Sequence, residues 1–300
     1  RYSTGWADDQ RVYFHAEFSK PFERIVFTGA DTLSADGRSA RGRKLYGRFG
    51  FRTEENERIT VKVGLSAVSA ENARRNMQAE CPGWDFEAVR EATRRAWNGE
   101  LSKIRIETAD PAVRRIFYTA LYHTMIAPSL FCDVNDYRGA DGAVRRDTTF
   151  TNYTTFSLWD TYRAAHPLLT LIHPEKVGDL INTMLRIHEQ QGKLPVWHLM
   201  GCETDCMVGN PAIPVVADAL LKGFGGFDRA KAYEAMKSSA MRDDRRLDLY
   251  KRYGYIPYEF NESVGYCLEY AIADWALAQA AQREGKREDY DYFLARSKAY

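Results

Sequence analysis

The sequence predicts a multidomain β + α protein, with part of an N-terminal β-sandwich followed by part of a helical toroid. Three observations carry that expectation. Residues 1 to about 70 hold short runs of β-branched and aromatic residues, separated by Gly- and Ser-rich turns at roughly ten-residue spacing. From Asp110 onward apolar residues recur at helical spacing, helix after helix, with few strand signals. A polar helical stretch separates the two regions. The expected divisions are 1–68 for the C-terminal part of the sandwich, 69–109 for a helical linker, and 110–300 for the first part of the helical domain.

Taken in order, VYFHAEFS, RIVFTG, LYGRFGFRT and RITVKVGLSAV read as strands, and TLSADGRSARGRK as a polar hairpin or loop. A chain that opens straight into an alternating strand suggests that earlier strands of the sheet lie outside it. Ser69 is a helix N-cap with Glu71 in the first turn. After CPGW the helical period resumes, with Phe86, Val89, Ala92 and Ala96 on one face. IRIET reads as a last short strand. Asp110 and Pro111 form an N-cap and N1 pair, and later helices are expected near 168–191, 212–223, 229–242, 262–284 and 287–300, with Asn261 as the cap of the fourth. No solenoid-type repeat or low-complexity segment interrupts them.

Composition narrows the class of partner. The 45% apolar and 28% charged residues of this 300-residue chain suffice for a large core. A formal net charge of +1, with basic and acidic residues interspersed, gives no reason to expect nucleic acid or an anionic membrane as partner. No apolar run is long enough to span a bilayer. The chain begins at Arg1 without an initiator Met or signal-like segment, so it reads as a processed or trimmed piece whose address lies elsewhere. Five cysteines are too few and too scattered for a disulfide framework. Cys202 and Cys206 lack the second CxxC or His cluster that would complete a zinc site.

The stretch from Asn152 to Asn210 carries the candidate chemistry. SLWDTYR reads as an aromatic-polar turn feeding an amphipathic helix, and LPVWHLMGCETDCMVGN as a loop between helical segments. Such loops are where a helical scaffold places a polar ligand site, and aromatic faces with carboxylate and guanidinium groups suit a sugar. Asp160 either bonds ligand hydroxyls or caps the following helix. Trp159 and Trp197 either wall a pocket or serve the core. Glu203 and Asp205 could form an acid–base pair for glycoside hydrolysis, or be solvated loop acids. FCDVNDYRGADG has the acids of a calcium loop but lacks the glycine and closing glutamate of an EF-hand, and reads as a surface turn. The histidines show no metal-ligand spacing. No Ser-His-Asp set, dinucleotide fingerprint or P-loop is present.

These motifs, in order, resemble the calcium-dependent alpha-mannosidases of glycoside hydrolase family 92. SLWDTYRAAHPLLTLIHPEK, LPVWHLMGCETDCMVGN, VADALLKGFGGFD, EFNESVGYCLEYAIADWALAQAA and DYDYFLARSKAY carry the resemblance, with VYFHAEFSKPF, VKVGLSAVSAENARRN and IFYTALYHTMIAPSLFCDVNDYRGADG upstream. It covers nearly the whole chain and implies an (α/α)6 toroid as catalytic domain. It further implies an inverting exo-alpha-mannosidase that removes terminal mannose from glycans, with a Ca2+ ion chelating O2 and O3 of the sugar. The implied partner is a mannose-containing oligosaccharide, and the implied location is secreted, periplasmic or cell-surface. Asp160 matches the aspartate that lines the terminal-mannose subsite, joined by Trp159, Arg163, Trp197 and Glu203 as substrate-binding candidates. The resemblance removes the acid–base role from Glu203 and Asp205, leaving Glu203 as a pocket-lining or loop-fixing group. The family's acid is a Glu in an EGNAWQY-like segment and its base an Asp in a GDED-like segment. Neither occurs in residues 1–300, so both are expected beyond Tyr300, and no calcium ligands can be placed. Two other readings share these residues, namely a non-catalytic mannoside-binding relative and another inverting sugar enzyme, such as a phosphorylase, on a related toroid.

Overall fold

The computed structural model describes residues 6–299; the chain's first five residues and Tyr300 lie outside the described residues. Two compact units divide the chain, residues 13–95 and residues 1–12 with 96–300.

In the first unit, β1 (Tyr13–Phe18), β2 (Arg24–Thr28), β3 (Thr32–Leu33), β4 (Ala40–Arg41), β5 (Tyr46–Gly50) and β6 (Val61–Ser66) pair as nested antiparallel ribbons. β1 pairs with β6, β2 with β5, and β3 with β4. The innermost is the expected polar hairpin, its turn tied by Ser34 Oγ and the Arg38 N–H donating to Asp36. Phe18, Phe22, Phe49 and Phe51 interlock, with ring centroids from 4.9 to 6.5 Å apart.

β6 alternates as the sequence requires, but inside out. Lys62, Gly64 and Ser66 are buried while Val61, Val63 and Leu65 are exposed. The buried side receives α1 (Ala70–Glu80), and a Cβ on Gly64 would lie 2.1 Å from the Ala73 carbonyl oxygen, so only glycine admits this approach. Lys62 leads its ammonium to the Cys81 carbonyl and over the Trp84 ring at 4.2 Å. α1 starts at Ser69, whose side chain accepts the Asn72 N–H. In α2 (Phe86–Leu101) the apolar period produces a helix, yet none of its residues is buried, and Phe86 and Val89 stand open to solvent.

The second unit begins its helices with α3 (Pro111–Thr124), where Asp110 accepts the Ala112 N–H and Pro111 stands in the first turn. Residues 104–108, expected as a strand, form none among the described residues. Short strands follow: β7 (Ser129–Leu130), β8 (Asp136–Arg138), β9 (Val144–Arg146), β10 (Tyr153–Thr154) and β11 (Phe156–Ser157). The segment expected as a surface turn is the β8–β9 hairpin, with Tyr137 and Arg138 buried and Asp141 paired with Arg145 at 2.5 Å.

Next come α4 (Leu158–Thr161), α5 (Ala165–Ile172), α6 (Pro174–Gln191), β12 (Trp197–Leu199), β13 (Cys202–Glu203), α7 (Ala212–Leu221), α8 (Arg229–Ala240), α9 (Leu247–Tyr253), α10 (Ser263–Arg283) and α11 (Arg287–Arg296). The single helix expected over 168–191 is divided at His173, since Pro174 has no N–H to continue α5 and instead starts α6. α9 has no counterpart among the expected helices; the chain enters it through Arg245 and Arg246, both left-handed at φ 51° and 68°. α10 is preceded not by an Asn261 cap but by Glu262 at φ 59°, which makes no side-chain cap.

α5, α7 and α10 pack in a row, α5 on α7 and α7 on α10. Each is followed by a partner packed on it: α6, α8 and α11. These paired helices form no closed barrel. Ile213, Val216, Leu220, Met184, Met236 and Leu277 fill the layer between them. A buried ion pair, Arg296 with Asp274 at 2.6 Å, fastens α11 to α10 while Arg296 also donates to the Ala240 carbonyl.

Candidate functional site

The two motif stretches meet through a three-stranded sheet ordered β11-β12-β13. Phe156 stands opposite His198 and Ser157 opposite Trp197, while His198 also faces Glu203 on its other side. Met200 and Gly201, at φ 51° and 86°, make the two-residue turn between β12 and β13, the conformation that matches strand twist. Phe156 and Leu158 are fully buried. They pin the chain on both sides of Ser157, so the turn that follows is presented from a fixed base.

In that turn Asp160 is exposed and accepts a hydrogen bond from Ser157 Oγ. Trp159 is half-buried against the core of α9 and α10, and its indole N–H finds no acceptor among the described residues. The Arg163 guanidinium lies over the Trp159 ring at 4.6 Å and near the Tyr162 ring at 4.7 Å. It donates to Glu269 Oε1 at 2.6 Å, while Tyr162 donates its hydroxyl to Glu269 Oε2 at 3.0 Å. Burial and the Glu269 charge push the Tyr162 phenol up to about 12.

On the other strand, Trp197 is half-buried, its ring edge-to-face with Trp6 at 5.6 Å. Glu203 turns its carboxylate inward. One oxygen accepts the Val196 N–H at 2.8 Å, and the other accepts those of Trp197, Thr204 and Asp205 at 2.8, 3.0 and 3.0 Å. This is a carboxylate saturated by backbone donors, and it fixes the loop's path. Asp205 is left-handed at φ 50° and is clasped by Lys193 at 2.5 Å and Arg245 at 3.0 Å. Arg245 also donates to the carbonyls of Met207 and Gly209. Glu203 and Asp205 face different partners and form no acid–base pair.

The structure brings Trp159, Asp160 and Arg163 together on one turn, and Trp197 and Glu203 together on the facing strands. His198 stands inside, 3% exposed, and burial lowers its imidazole to about 4. His166, at the start of α5, is equally hidden and held at about 4 by the same cause. Neither Glu269 nor Tyr162 is among the site residues that the sequence suggests. The available signal for Glu269 is a carboxylate set in the otherwise apolar GYCLEYAIADW stretch of α10.

Among the described residues no group of three or more His, Cys, Asp or Glu side chains is arranged to hold a metal ion. The site's own acids agree with that: Glu203 is taken up by amides, Asp205 by two cations, and Asp160 stands apart. Among the described residues this set of acids does not fit a calcium ion. All five cysteines are free thiols.

The chain matches the Glycosyl hydrolase family 92 catalytic domain over residues 72–300 and that family's N-terminal domain over residues 1–66. It superposes on a family GH92 alpha-mannosidase of Bacteroides thetaiotaomicron with a TM-score of 0.93 and 40% identity, covering 99% of this chain and 42% of that one. A structure of that enzyme in complex with mannoimidazole gives the same TM-score and identity, covering 99% and 40%. A family GH92 inverting mannosidase of the same organism gives a TM-score of 0.87 at 29% identity, covering 100% and 42%. A curated protein of Arthroderma benhamiae, described as an uncharacterized secreted glycosidase, is 26% identical over 77% of this chain and 29% of its own length. The chain thus spans less than half the length of each of these relatives.

Proposed function

The chain belongs to glycosyl hydrolase family 92, and from that premise we propose that the whole protein is an exo-acting, inverting alpha-mannosidase that removes terminal alpha-linked mannose from glycans. The observation that carries this reading is the Trp159–Asp160–Arg163 turn, an open carboxylate beside aromatic rings inside the segment matched to the catalytic domain. Asp160 is proposed to accept hydroxyl hydrogens of the terminal mannose, with Trp159 and Trp197 offering ring surface to its C–H face and Arg163 lying at the rim. Glu203 is assigned to holding the loop rather than to touching sugar. Residues 1–68 are proposed to belong to the sandwich, 69–109 to the linker, and 110–300 to the first part of the catalytic domain.

Inversion requires a carboxylic acid on the glycosidic oxygen and a carboxylate activating water on the opposite face, about 6.5–9.5 Å apart. We propose that this acid and base, and the ligands of a required Ca2+, come from outside residues 1–300. Residues 1–300 then contribute binding and orientation without proton transfer, and the isolated chain is expected to release no mannose. Export to the secretory, periplasmic or cell-surface space agrees with the description of the fungal relative. No helix of the described residues is long and apolar enough to cross a membrane.

The test uses the full-length protein with a panel of alpha-linked mannobioses, with and without a calcium chelator, following the first-released anomer by proton NMR. Beta-mannose that disappears on chelation is expected, and its source names the linkage. Alpha-mannose would overturn inversion. Release that persists with chelator would overturn the metal requirement. Mannoside binding without release would turn the assignment to a non-catalytic relative.

A further inference from the structure

Asp160 in α4 and Arg163 in the turn just after it are three residues apart, a spacing at which an acid and a base can ordinarily pair. They do not. Among the described residues Asp160 accepts one hydrogen bond, from Ser157 Oγ, and Arg163 gives its guanidinium to Glu269, 106 positions later in the chain. Why the distant acid wins follows from its surroundings. The Glu269 side chain is 12% exposed, so an ionised carboxylate there is poorly hydrated and holds a cation strongly. The bond to it also lets the guanidinium stack on Trp159, a contact that a turn toward Asp160 would have to share.

Glu269 is itself fixed from two further sides. The Tyr162 hydroxyl occupies its second oxygen. The backbone of Gly209, at φ 80°, closes over it so tightly that a Cβ on Gly209 would stand 2.5 Å from the Glu269 Cβ. The 201–210 loop, α10 and the 157–163 turn thus converge on one residue, Glu269.

We infer that Glu269 is a positioning residue: by holding Arg163 it keeps that guanidinium off Asp160, leaving the Asp160 carboxylate open to the hydroxyls of a terminal sugar. This rests on the reading of Asp160 as a mannoside contact. Without the Glu269 charge, Arg163 turns to the acid three residues before it, and a ligand must then displace an internal cation to reach Asp160.

The experiment is a double-mutant cycle on the full-length protein, measuring kcat and KM for an alpha-mannobiose with Glu269→Gln, Arg163→Met and both together. Glu269→Gln is expected to raise KM about tenfold with kcat nearly unchanged, and to have no further effect in the Arg163→Met background. Tyr162→Phe, a gentler change that removes one donor from Glu269, is expected to raise KM less and likewise only when Arg163 is present, which covers the case in which Glu269→Gln does not fold. An equal rise in both backgrounds would show a structural role independent of Arg163 and overturn the inference, as would an unchanged KM. If the unsubstituted protein neither turns over nor binds an alpha-mannoside, the reading of Asp160 falls and the inference falls with it; if it binds without turnover, the same cycle is read in Kd. Turnover with an unaffected Glu269→Gln variant overturns the inference alone.

Discussion

Across the β11–β12 pairing stand two carboxylates in opposite circumstances. In the turn 157–163, Asp160 is exposed and accepts one bond, from the Ser157 hydroxyl. In the loop 196–205, Glu203 receives four backbone N–H groups, and both of its oxygens are taken up by the loop itself. The two segments are register neighbours, Ser157 opposite Trp197, so burial alone does not separate them. What separates them is how each backbone is held. The turn is pinned by Phe156 and Leu158, whose apolar burial costs no polar group, so its acid is not needed to hold the backbone. The loop has few buried apolar residues and left-handed positions at Met200, Gly201 and Asp205, so it needs an internal anion to collect its amides. One carboxylate maintains structure so that the other need not.

The largest expected effect comes from breaking the closed side. Glu203→Ala leaves four amides without their charged acceptor and should lower stability by about 3 kcal/mol, read as a lower urea midpoint at unchanged slope. Glu203→Gln should recover little, because its amide nitrogen would meet N–H donors on one side. If Glu203→Ala unfolds at the parent midpoint, the loop is held by Asp205, Lys193 and Arg245 instead, and the contrast between the two carboxylates loses its basis.

Acid tests whether the contrast extends beyond the carboxylates. Each segment is backed by a buried histidine, His198 on the loop side and His166 behind the turn, and burial holds both at about 4 against an ordinary 6.5. A base whose folded pKa is depressed contributes its full stability above the unfolded value and loses it as pH falls toward the folded one. The window is therefore pH 6.5 down to 4, with about 2–3 kcal/mol lost per histidine by pH 4.5. Stability followed by denaturant titration from about pH 7.5 to 4.5 should be flat at first and then fall. His166→Phe should flatten part of that fall. In this respect the open and closed segments behave alike, and a flat profile throughout would mean that both rings reach solvent.

The open side is the more legible in the sequence. SLWDTYR sets a carboxylate among aromatic and cationic neighbours within one short run, and those residue types alone mark a candidate site. The closed side displays its residue types but not their use, because the amides that Glu203 collects belong to Val196 and Trp197 as well as to its own neighbours. No periodicity encodes a carboxylate folding back across a hairpin. The β11–β12 register is equally hidden, since strands of two and three residues carry no alternation to read. Helices with a breaker are legible, as at Pro174. α9 is not, being seven residues long and entered through two left-handed arginines. Where the pattern is clear but the burial is not, as for β6 and the apolar face of α2, period dictates the element and tertiary packing chooses the side.

The smallest effect on stability, and the sharpest on function, is expected at Asp160. Asp160→Asn keeps the side chain's shape and can still accept from Ser157, and the position is exposed, so stability should move by no more than about 0.5 kcal/mol. For the ligand the change is larger. A carboxylate offers two charged acceptors to adjacent hydroxyls, whereas the amide offers one neutral acceptor and turns donors toward hydroxyls already donating. In the full-length protein the KM for an alpha-mannobiose should therefore rise about tenfold or more while the melting curve overlays that of the parent. The reverse pattern, a destabilised protein that still holds its substrate, would mean that Asp160 serves the turn as Glu203 serves the loop. The two carboxylates would then have the same role, and the site's open acceptor would have to be sought among groups outside residues 1–300.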